Sequence, residues 1–163
     1  MVEKEYVQKV IIFTETVGMH LEKYQYSVSS SFLDYEFISD GPKGRIKKIV
    51  RFTQLENNIY NLAFGDLIEN TRAINDMNVT NNGDSNKLLH TVAAVVIDFT
   101  IHYPNAIIVA QGSTTSRTRL YRMGINRYLA EIQADFKIFG LVKNDWFAFT
   151  SHHTYDAFLI IRK

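Results

Sequence analysis

The segment from Leu88 to Ile101 constrains the fold more than any other. Leu88, Val92, Val95, Val96 and Phe99 recur at helical spacing, while Lys87, Thr91 and Asp98 fall opposite them. Ile97 and Ile101 widen the apolar arc, so this helix is buried over much of its circumference and needs covering from more than one side. Asp84 or Ser85 is its capping residue and Pro104 stops it, which predicts a helix from about 85 to about His102.

The flanking sequence supplies strands. Tyr24–Ser31 and Leu33–Ile38 alternate, and Ser39-Asp40-Gly41-Pro42-Lys43-Gly44 is dense turn chemistry. Arg45–Gln54 places Ile46, Val50 and Phe52 on one face and Arg45, Lys47, Arg51 and Thr53 on the other. Lys48 interrupts the inner face, which predicts that this end of the strand lies at an edge. Asn57-Asn58 then turns the chain into Ile59–Phe64, with Tyr60, Leu62 and Phe64 together on one side. Gly65 to Asn86 reads as a long polar loop, a functional or mobile segment by its length. After the helix come a short strand at Ala106–Gln111 and a second helix from the hydroxyl run to about Asp135. Strands at Lys137–Val142, Trp146–Thr150 and Tyr155–Ile161 close the chain.

This order, strands–helix–strand–helix–strands, predicts an α+β fold: a mainly antiparallel sheet with two long helices in a single domain over residues 1–163. Residues 1–23 read as a packed N-terminal arm or an extra strand. The 163 residues are enough for one sizeable core. With no cysteine there are no disulfides, thiolate ligands or cysteine nucleophiles, and a reducing compartment is indicated. No secretory signal or membrane-length apolar run is readable, which predicts a cytoplasmic protein without membrane contact. A formal net charge of +1 gives no bulk attraction for nucleic acid.

Tyr60-Asn61-Leu62-Ala63-Phe64-Gly65-Asp66, Asn82-Gly83-Asp84 and Gly112-Ser113-Thr114-Thr115-Ser116-Arg117-Thr118-Arg119-Leu120-Tyr121-Arg122 together resemble an uncharacterised bacterial family of unknown function. The resemblance covers most of the chain from Tyr24 onward. It implies a bacterial protein and carries over no activity.

The strongest local signal is the strand–glycine–hydroxyl–helix junction at 112–122. A helix start offers unpaired N–H groups and a partial positive charge. Here it holds Ser113, Thr114, Thr115 and Ser116, backed by Arg117, Arg119 and Arg122, with Arg127 further along and no acid before Glu131. On a helical wheel Arg117 and Arg122 flank the core face and Arg119 points to solvent. Arginines in a first turn oppose the helix dipole unless an anion answers them, so the pattern points to a bound phosphate or carboxylate. The plainer alternative is that the hydroxyls cap the helix and the arginines pair with internal carboxylates such as Asp66 or Asp84.

Three functional readings follow: a binding module for an anionic, phosphate-bearing small molecule or nucleic acid at Ser113–Arg122; an enzyme on a phosphate substrate, a nuclease or nucleotide hydrolase, with Asp66 or Asp84 as base or metal carboxylate; and a homodimer. The last rests on Leu120, Met123, Ala130 and Ala134, a second apolar stripe that meets either a partner copy or another layer of the fold. The basic face of Arg45, Lys47 and Arg51 suits either phosphates or a solvated edge.

No cofactor is implied. Asp76–Thr80 begins like a calcium loop but has Asn81 where glycine is needed and Lys87 where glutamate is needed. His152 and His153 are adjacent and so face opposite ways on an extended chain. His90 reads as a packed or polar-face histidine, and no nucleophile elbow is present.

Overall fold

The computed structural model describes residues 22–75 and 81–163. The predicted arm or strand at 1–23 therefore falls, but for its last two residues, outside the described residues, as does the Asp76–Thr80 segment. The strands are β1 (Tyr26–Val28), β2 (Asp34–Gly41), β3 (Gly44–Glu56), β4 (Ile59–Ile68), β5 (Ala73–Asn75), β6 (Ile107–Ala110), β7 (Phe136–Val142), β8 (Asp145–Ala148) and β9 (Phe158–Arg162). The helices are α1 (Ser85–His102), α2 (Thr115–Arg127) and α3 (Leu129–Asp135).

Among the described residues all nine strands join one sheet in the order β1-β2-β3-β4-β6-β9-β7-β8, with β5 on β4. Every pairing is antiparallel except β4 with β6, between which β5 and α1 intervene along the chain. The protein is a mixed α+β fold on a large, mostly antiparallel sheet, as the element order predicts. Turn chemistry sets the hairpins: Asn58 takes φ 62° between β3 and β4, and Lys143 and Asn144 take 48° and 69° between β7 and β8.

Along β4 the alternation is clean, with Tyr60, Leu62 and Phe64 buried against α1. Phe99 of α1 stacks on Phe52 at 3.7 Å and meets Tyr60 edge-on. Fully burying side chains of this size contributes about 2–3 kcal/mol each.

Four sequence expectations need correction. The second long helix is two: helical geometry breaks at Tyr128 (φ −116°, ψ 24°), where the ring buries itself 4.2 Å from that of His90. The 65–86 stretch is not all loop, because β4 runs on to Ile68 and β5 returns along it. Lys48 does not mark an edge. β3 lies between β2 and β4, and the Lys48 side chain is wholly buried in an ion pair with Asp66, its cross-strand neighbour. Thr91 and Asp98, placed opposite the apolar arc of α1, are both buried. Tyr24 N–H donates to Thr91 Oγ1, and the Asp98 carboxylate accepts from the Tyr26 hydroxyl.

Candidate functional site

β6 delivers the chain to Gly112, and the next turn starts α2. A side chain at Gly112 has no room: a Cβ there would stand 2.5 Å from Arg117 Cβ and collide with the Thr118 backbone nitrogen. Glycine is required because the helix folds back over its own approach. Thr114 is the N-cap, its hydroxyl accepting from Arg117 N–H at 3.3 Å. Thr118 Oγ1 accepts from Gly112 N–H at 3.1 Å and donates to Thr114 O. Two hydroxyls therefore hold the junction itself, while Ser113, Thr115 and Ser116 lie on the exposed side.

The arginines separate sharply. Arg117 is buried, with its guanidinium in the sheet. β4 pairs with β6 through residues 59–62 and with β5 through 66–68; Phe64 lies between these stretches. Arg117 Nη1 donates to Phe64 O, and Nη2 donates to Asn75 O of β5 at 3.4 Å. The guanidinium thus stands where a ladder strand is missing, pairs the Phe64 carbonyl in that gap and reaches the Asn75 carbonyl beside it. Its Nε is buried without a hydrogen-bond partner. Nearby, burial pushes the Tyr121 phenol up to about 12, with the Arg117 charge acting the other way.

Arg119 is exposed. Arg122 is half-buried: Nη1 donates to Thr154 Oγ1 at 3.2 Å and to His153 O at 3.5 Å, tying α2 to the β8–β9 connection, and its Nε has no partner. Arg127 donates to Asn86 Oδ1. Among the described residues no carboxylate forms an ion pair with any of these four arginines.

The internal acids have other partners, so the plainer reading of the arginines is corrected. Asp66 faces Lys48. Asp84 accepts from Tyr24 Oη at 2.6 Å and from Ser39 Oγ at 2.5 Å, with its second oxygen buried and unpartnered. Asn82, next to it, clamps the β2–β3 turn. Its Oδ1 accepts from Lys43 N–H, and its Nδ2 donates to Ser39 Oγ and Gly44 O. Much of the sequence that carries the family resemblance is therefore architecture: Arg117 fills a gap in the sheet, and Asn82 locks a hairpin.

On the basic outer face, Arg51 pairs with Asp34 at 2.8 Å and Lys47 with Glu69 at 2.6 Å. That pairing suits a solvated sheet face better than a phosphate track. Of the second stripe, Met123, Ala130 and Ala134 are exposed and Leu120 is half-buried, so no layer among the described residues covers it. His152 and His153 are exposed, whereas His90 is packed with its Nε2 unpartnered, and burial lowers its pKa.

Sequence reasoning missed a buried polar group on α1. Asp98 is fully buried, with Tyr26 Oη at 3.3 Å and His102 Nδ1 at 3.5 Å. Burial pushes its carboxyl up to about 6, against the opposing effects of the Tyr26 hydrogen bond and the Lys23 charge. The available signal was an acid inside an otherwise apolar helical stretch.

Among the described residues no helix is long and apolar enough to cross a membrane. No curated protein and no solved structure matches the chain. A family model described as a family of unknown function, DUF6934, matches residues 20–163. It spans every described element, from β1 through the Arg117 junction to β9, and the chain belongs to that family.

Proposed function

We propose that the protein is a binding module for an anionic, phosphate-bearing ligand, held on the exposed side of the α2 start by Ser113, Thr115, Ser116, Arg119 and Arg122. Thr114 and Arg117 form the rigid base beneath it. The observation that carries this reading is the charge balance. Arg117 stands in the first turn of α2, which holds no acid, with Arg119 and Arg122 in the second, and among the described residues none has a carboxylate partner. Arg117 is answered only by peptide carbonyls, so the local potential stays positive where a phosphate would arrive.

Calorimetric titration with nucleotides and short RNAs tests the reading. Arg119→Ala and Arg122→Ala, checked for fold by circular dichroism, should each weaken binding about tenfold, a charge-assisted contact's worth. Affinity unchanged in the double variant removes the proposal. Arg117→Ala is unsuited to this purpose because it opens the sheet.

Two other readings have an observation each. Asp66 directly follows Gly65, whose Cα faces Arg117 Nη2, so the backbone that carries one candidate base runs beside the arginine, although alternate strand side chains point its carboxylate to the other face. Its engagement with Lys48, and that of Asp84 with two hydroxyls, favours binding over catalysis. The homodimer reading gains from the exposure of Met123, and light scattering at rising concentration decides it.

A further inference from the structure

α2 and α3 do not close fully against α1 and the sheet. Between them lies an apolar cavity of about 100 Å³, walled by Leu62, Val92, Val96, Ile125, Tyr128 and Ile160. Protein interiors seldom leave voids much larger than a water molecule, and an apolar void of this kind stays dry. It is smaller than an engineered apolar cavity of about 150 Å³ that takes up benzene, but it is open at one side, so a ring or short branched chain can enter with its head-group end at the mouth.

Its mouth has a definite chemistry. The two charged residues lining it are Glu131 and Asp135, one turn apart on the same face of α3. Like charges at this spacing repel. Glu131 sits in the first turn, where the helix dipole favours it, but Asp135 closes the helix, where the dipole does not. Among the described residues neither carboxylate forms an ion pair. Of the cations nearby, Arg127 donates to Asn86 Oδ1, Lys163 Nζ to Gln133 O at 2.5 Å, and Arg162, over the Phe136 ring, to Thr100 Oγ1.

We propose that this cavity is a binding site for a small hydrophobic amine, its ring or chain between α1 and α3 and its ammonium between Glu131 and Asp135. The half-open volume suits one ring rather than a helix, and the two carboxylates at the mouth select a cation over a neutral or acidic head. The site is separate from the α2 start and does not depend on the anion reading.

The test titrates isotope-labelled full-length chain by NMR with 2-phenylethylamine, 3-phenylpropionate and propylbenzene, which share a ring and differ in head-group charge. The amine should shift amides around Val92, Ile125 and Ile132 and bind about tenfold or more tightly than the acid, as one good charge contact implies. Glu131→Gln with Asp135→Asn should abolish that preference while leaving propylbenzene binding intact. Val92→Phe, or the milder Ala93→Val, should weaken all three probes by filling the cavity. Equal affinity for amine and acid, or binding insensitive to both filling variants, overturns the proposal. So does an absence of cavity-localised shifts with every probe, as when a second copy or another protein segment occupies the space.

Discussion

Asp98→Asn should stabilise the protein at neutral pH and do nothing at low pH. The carboxyl is held up at about 6, against 3.8 when free, chiefly by burial inside α1. A folded pKa above the unfolded one means the folded state binds the proton more tightly. The penalty of ionising Asp98 is therefore absent below about pH 4 and fully present above about pH 6. Two units at about 1.4 kcal/mol each make that penalty about 3 kcal/mol. Asparagine keeps an oxygen for the Tyr26 hydroxyl. The buried, unpartnered Tyr35 hydroxyl lies near enough for Asp98's charge to raise the Tyr35 pKa, and the substitution removes that charge. Urea denaturation followed by circular dichroism should show the variant gaining about 3 kcal/mol at pH 7, or about 6–12 °C in melting temperature, and nothing at pH 4. His102 also faces Asp98, so the pair is measured again with His102→Gln, where the same pH dependence should persist. A stability difference that does not change between pH 4 and 7 would refute the burial argument.

Other substitutions probe the architecture around the candidate site. Arg117→Ala removes the donor to Phe64 O and should cost about 1–3 kcal/mol by denaturation, with Arg117→Lys recovering only part because one ammonium cannot replace the two-armed bridge to Phe64 O and Asn75 O. Gly112→Ala drives a methyl into Arg117 Cβ and the α2 backbone and should destabilise by several kcal/mol, visible as a lower melting temperature. Asp66→Asn leaves Lys48 buried without its carboxylate and should cost about 3–5 kcal/mol, whereas Lys48→Met with Asp66→Leu should fold with near-native stability. A double variant as unstable as the single one would show that the pair does more than satisfy its own burial.

The difference between what could and could not be read lies in the range of the interactions. Periodicity marked α1 to its residues, the turn at Asn57-Asn58 and the inward face of Tyr60, Leu62 and Phe64, because each depends on neighbours within a few positions. A hydroxyl cap was legible within Ser113–Ser116 for the same reason, and the structure puts it at Thr114. Lys48 was visible as an anomaly, but its reading needed Asp66, which β3–β4 pairing brings opposite it from 18 residues away. Arg117 was legible as a charge at a helix start. That it would close a gap between β5 and β6 required knowing that β4 changes partners at Phe64.

By itself the sequence determined an α+β chain: a helix apolar enough to need a sheet, strands turned by glycine and asparagine, and a helix start crowded with arginine. Tertiary structure decided which charges are spent and which remain. It sank Arg117 into the sheet, left Arg119 outside, buried Asp98 among tyrosines and opened an apolar cavity under two acids. The physical reason is that a charge's role depends on what desolvates and what faces it, and both come from segments distant along the chain.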